Sequence, residues 1–140
     1  SGFSQSLTLG NLEYLLSDAN KEKFLEEKSF KIQPQQLGQL KPSITYYSRN
    51  ISSNTASETV VSGMGFFNKN HVFMPHLAYM TKDTAYINNL IKQIYQANFR
   101  LVEKKLKIKR YFYRFKGNGL NIWVTKRQDN QLSQVYLMKT

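Results

Sequence analysis

Cysteine is absent from this 140-residue chain, which excludes a disulfide framework, a thiolate metal site and a cysteine nucleophile. Long apolar runs are missing as well. None approaches the roughly 18 residues that a membrane-spanning helix needs, so no transmembrane segment is expected. Acids are few: nine Asp and Glu stand against 20 Lys and Arg, for a formal net charge of +11. Proline occurs only three times, and Pro34 and Pro42 fall with Gly38 in one stretch, 34–43, that reads as a loop.

The motifs that carry chemistry are also lacking. There is no G-x-S-x-G nucleophile elbow, no phosphate-binding P-loop and no G-x-G-x-x-G. Gly63-Met64-Gly65 and Gly117-Asn118-Gly119 read as structural glycine pairs in a strand and a turn. The two histidines, His71 and His76, are five residues apart in one expected strand. That spacing puts them on opposite faces, where they cannot share a metal. Glu22, Glu26 and Glu27 alternate with Lys21, Lys23 and Lys28 as a solvated helix face does, not as acids facing across a cleft. These absences speak against an enzyme, and no metal or cofactor is expected.

What is present begins with the placement of charge. Residues 1–80 hold seven basic and six acidic side chains, whereas residues 81–140 hold thirteen basic and only Asp83, Glu103 and Asp129. Such asymmetry fits one surface tuned to an anionic partner. It also fits lysines that keep a β-rich protein soluble and guard its sheet edges, and the excess of Lys over Arg favours this plainer role. Apolar residues make up 41% of the chain and aromatics 14%, enough for a folded core.

The hydrophobic periodicity alternates between helix and strand. Thr8 reads as the cap of a short helix with Leu12, Leu15 and Leu16 on one face, and 18–28 as another helical piece; one kinked helix or two short ones fit, and the eight-residue gap from Leu16 to Phe24 favours two. Strands are expected at 30–33, 43–48, 58–67 and 71–80, with a polar turn at 50–57. Pro75 implies an edge or a bulge in the last of these strands. Ile87, Leu90, Ile91 and Ile94 then mark a helix over 84–97 behind a Thr81–Thr84 cap. Further strands follow at 99–103, 108–116, 120–126 and 134–139.

That order reads as helix–β–β–β–β twice. Phe30 aligns with Phe99, and Leu77-Ala78-Tyr79-Met80 with Val135-Tyr136-Leu137-Met138. The expected fold class is α+β: a tandem pair of units (about 8–80 and 81–140, behind a stub at 1–7) forming one antiparallel sheet with helices on one face. The other face is the expected working surface. Along Lys109-Arg110-Tyr111-Phe112-Tyr113-Arg114-Phe115-Lys116, alternation puts Tyr111, Tyr113 and Phe115 on one side and Arg110, Phe112 and Arg114 on the other. A candidate binding face is drawn from Lys107, Lys109, Arg110, Tyr111, Tyr113, Arg114, Trp123 and Tyr136. Its expected partner is another protein or an anionic envelope component. A nucleic acid held by Lys104, Lys105, Lys107, Lys109 and Arg110 is the alternative.

Phe3-Ser4-Gln5-Ser6-Leu7-Thr8-Leu9, Phe24-Leu25-x-x-Lys28-x-Phe30 and Leu77-Ala78-Tyr79-Met80-Thr81, followed by Tyr86 and Asn98-Phe99, resemble a family of uncharacterised secreted proteins of Bacteroidetes-type bacteria. The resemblance implies a periplasmic or secreted protein, with Ser4-Gln5 similar to the end of an export signal. A cloning scar would leave an equally small, polar opening. The tandem helix-plus-meander order also resembles β-lactamase-inhibitor-like proteins, at the level of fold alone.

Overall fold

The computed structural model describes residues 7–17, 20–32, 44–50 and 57–140. The chain is α+β: among the described residues, three helices pack on one antiparallel sheet of eight strands. In chain order the elements are α1 (Leu9–Ser17), α2 (Lys21–Glu27), β1 (Lys31–Ile32), β2 (Thr45–Asn50), β3 (Ser57–Phe67), β4 (Phe73–Thr81), α3 (Thr84–Gln96), β5 (Arg100–Lys107), β6 (Arg110–Gly117), β7 (Leu120–Arg127) and β8 (Ser133–Lys139). The strands lie in the order β1-β2-β3-β4-β8-β7-β6-β5. Two four-strand meanders therefore meet edge to edge at β4 and β8, where Ala78 pairs with Tyr136.

Local chemistry sets the helix ends. The Thr8 hydroxyl accepts from the Asn11 N–H (3.1 Å) while the Asn11 side chain accepts from the Thr8 N–H (2.9 Å). This reciprocal pair starts α1 as a capping box does. Asp83 accepts from the backbone N–H groups of Ala85 (3.0 Å) and Tyr86 (3.4 Å) and starts α3. Both α2 and α3 end through a left-handed residue, Ser29 (φ 70°) and Asn98 (φ 64°). The next residue then donates back to the helix, from Phe30 to Leu25 (2.9 Å) and from Phe99 to Ile94 (3.3 Å).

One apolar layer lies between helices and sheet. Leu9, Leu12, Leu15 and Leu16 of α1, Leu25 of α2, and Ile87, Leu90 and Ile94 of α3 are buried against alternate residues of the strands, among them Val60, Leu77, Tyr79, Phe115, Ile122, Val124, Val135 and Leu137. Both α1 and α3 pack on β4 and β8. The Leu9 N–H also donates to the Gln93 side chain (2.7 Å), tying the two helices together. At the edge of this layer Glu58 is fully buried, held by Arg49 and by the Tyr79 hydroxyl.

Several boundaries differ from the sequence reading. Leu7, assigned to the stub, is fully buried in the core. β5 runs on to Lys107 rather than ending at Glu103, because an edge strand leaves its lysines in water. His71 sits in the β3–β4 turn with φ 62° instead of in a strand. Pro75 belongs to an interior strand, yet pairing with β8 ends at His76, so its missing N–H costs no bond on that side. The expected loop at 34–43 lies outside the described residues, as does most of the turn at 50–57.

Candidate binding face

Cross-strand register decides which side chains share the sheet face turned away from the helices. Arg114 pairs with Trp123, Trp123 with Tyr136, and Tyr136 with Ala78. Val61 and Tyr46 continue this row across β3 and β2, and Glu103 ends it on β5. A parallel row holds Met64, His76, Met138, Asn121 and Lys116, and another holds Met80, Gln134, Thr125, Phe112 and Lys105. The face thus grades from apolar at β3–β4 to cationic at β5–β6, with Trp123 near the middle and 48% exposed.

The sequence-chosen set is divided between the two sides of the sheet. Lys107, Arg110, Arg114, Trp123 and Tyr136 lie on the outer face. Tyr111 and Tyr113 are on the helix side, opposite Lys126 and Val124, and Lys109 occupies the β5–β6 turn with φ 58°. Tyr111 and Tyr113 cannot join Trp123 in one surface. They form a separate ladder in which Tyr113 stacks on Tyr111 (6.5 Å between centroids) and on Phe115 (6.0 Å), and Phe115 meets Tyr95 of α3 edge-on. Lys104 and Lys126 lie over Tyr113 and Tyr111.

Residues outside the sequence-chosen set complete the outer face. Phe112 is approached by Arg110 (5.4 Å) and Lys107 (5.7 Å), and Arg114 lies over Trp123 (5.9 Å). His76 Nδ1 is 2.7 Å from the Tyr136 hydroxyl, and its ring meets Phe66 and Tyr136 edge-on. Burial pushes the His76 imidazole below its ordinary value, which favours the neutral ring. Arg127, at the far end, is engaged by Asp129 and contributes little free charge. Beside it, Asp129 is held down to about 2 by that hydrogen bond.

Among the described residues, three polar atoms on this face are shielded from water with no hydrogen-bond partner: His76 Nε2, Arg114 Nε and Asn121 Oδ1. His76 and Asn121 flank Met138 in one row, so they stand about 10 Å apart across two strand spacings. Arg114 sits one row over. An unmet buried polar atom costs about 1–3 kcal/mol, and native proteins leave few. The sequence reading chose Arg114 from its strand, but not His76 or Asn121, which converge only through β8. No family model, curated protein or solved structure matches this chain.

Proposed function

We propose that the chain is a non-enzymatic binding domain acting outside the cytoplasm. Its outer sheet face captures an anionic partner that also offers rings or apolar groups, a protein or an envelope component. The observation that carries this reading is the convergence of Arg114, His76 and Asn121, each with an unpartnered buried atom, around the exposed ring of Trp123. The Arg114 guanidinium supplies charge, and Trp123 and Phe112 supply stacking surface. With the Tyr136 hydroxyl donating to Nδ1, His76 Nε2–H and Arg114 Nε–H are donors suited to an anion once the face opens to admit it, whereas Asn121 Oδ1 is an acceptor and suits an N–H or O–H of the same partner.

Trp123 is the only tryptophan, so its emission reports occupancy of this face directly. Titration with poly-L-glutamate and with a dT20 oligonucleotide is the test. Poly-L-glutamate is expected to shift Trp123 emission, and Arg114→Gln to weaken binding about tenfold, equivalent to about 1.4 kcal/mol, without changing the thermal midpoint. No emission change with either polymer would remove the proposal's basis. Tight dT20 binding that collapses with salt and needs Lys104, Lys105 and Lys107 would favour the nucleic-acid reading, which Phe112 between Lys107 and Arg110 supports.

We further propose that the two meanders are copies of one unit. Supporting this, the bonds from Ser29 to Glu26 and from Phe30 to Leu25 recur 69 residues later, from Asn98 to Tyr95 and from Phe99 to Ile94. The Ala78–Tyr136 pair lies where equivalent residues of two copies would meet. The copies have diverged, with an apolar outer face in the first and a cationic one in the second.

A further inference from the structure

Among the described residues β5 ends the sheet, so no described strand lies along one side of its backbone, and all eight of its residues are exposed. It carries Arg100, Lys104, Lys105 and Lys107 against one acid, Glu103, which Lys105 already approaches at 3.5 Å. Lysines alone would be enough to keep such an edge from pairing with other chains. They do not account for the apolar residues on the same stretch, Leu106 (65% exposed) and, in the turn beyond it, Ile108 (89%). The one irregularity, between Leu101 and Glu103, lies at the start of the strand. Residues 103–107 pair regularly with β6 and present an undistorted edge.

We infer that β5 is a docking edge for an extended acidic segment of another protein, which adds to the sheet as a ninth strand. The partner's backbone meets the free N–H and C=O groups of β5. Its alternate carboxylates meet Lys105 and Lys107 on the outer side, and the apolar residues between them cover Leu106 on the helix side. Charge complementarity selects the partner, because the stretch from Lys104 to Arg110 contains no acid. This inference goes beyond the face reading above: it uses a backbone edge and does not depend on Trp123 or Arg114.

The test uses the whole chain and two labelled ten-residue peptides of equal charge. One alternates Glu and Val; the other replaces two of the Val residues with Pro. Binding is followed by anisotropy, and amide hydrogen exchange is followed across 100–107. The Glu-Val peptide is expected to slow exchange at alternate β5 amides and to bind at least tenfold more tightly than the Pro-bearing one. Lys105→Glu with Lys107→Glu should abolish that binding while circular dichroism stays unchanged. Equal binding of the two peptides would show charge attraction alone and overturn the inference. So would binding without β5 protection. A shift in Trp123 emission by poly-L-glutamate, with β5 still exchanging freely, would keep the face reading and discard this one.

Discussion

At the scale of single residues, the most demanding group in the fold is the Glu58 carboxylate. It is fully buried and depends on Arg49, which also donates to the Lys28 carbonyl (2.8 Å) and lies over the Phe30 ring (4.8 Å). Removing one partner of such a pair strands the other charge out of water. Arg49→Met is therefore expected to cost about 3–5 kcal/mol in urea unfolding, and adding Glu58→Leu should recover most of that loss. Tyr79, the third member, is raised above its ordinary value of 10.0 by burial first and by the Glu58 charge next. The folded state thus keeps its phenolic proton where the unfolded chain would lose it. The resulting stability is complete below the ordinary tyrosine value and declines as pH climbs past it. None of this was legible in the sequence, where Glu58 is one acid at the start of a strand. The contact with Arg49 exists only because β2 and β3 pair those two positions.

At the scale of elements, periodicity carried most of the information. The i, i+3, i+4, i+7 spacing located α3 to within a residue, and the gap between Leu16 and Phe24 marked the break between α1 and α2. Alternation correctly separated Tyr111 and Tyr113 from Arg110 and Arg114 along β6. It could not say which of those sides the helices cover, or which side of β6 Trp123 and Tyr136 share, because that parity follows from turn lengths and register. The candidate set was mixed for this reason. The β3–β4 hairpin was read as two strands and a turn, with Gly63 and Gly65 as bulge or close-packing points, but without the ring that packs there. Its bulge between Val61 and Met64 brings the Phe73 ring onto Gly65. A Cβ at Gly65 would stand 2.5 Å from both the Phe73 ring and the Met74 carbonyl oxygen. Gly65→Ala should thus destabilise the protein by about 1–3 kcal/mol, read as a lower thermal midpoint, with the largest amide shifts at Phe73 and Met74.

At the scale of the whole molecule, the sheet is continuous and the helices bridge its centre. The order of elements suggested two units, with α3 opening the second. The packing gives α3 a wider reach. α3 rests on β4 as well as on β7 and β8, and α1 rests on β8 as well as on β4, so each helix belongs to both meanders. Leu90 of α3 is fully buried in the layer these contacts share. Leu90→Asp would bury an unpaired carboxylate at that seam, which an apolar interior does not tolerate. The loss should propagate through β4–β8 pairing to both halves. Two probes follow the halves separately: Trp123 emission for the β5–β8 meander, and hydrogen exchange at Val60 and Val61 for the β1–β4 meander. In wild type the two are expected to lose structure at the same urea concentration, as one cooperative unit. In Leu90→Asp both should be lost in the absence of urea. If Val60 and Val61 stayed protected while Trp123 became fully solvated, the meanders would be energetically separate, and the shared helical layer would not couple them.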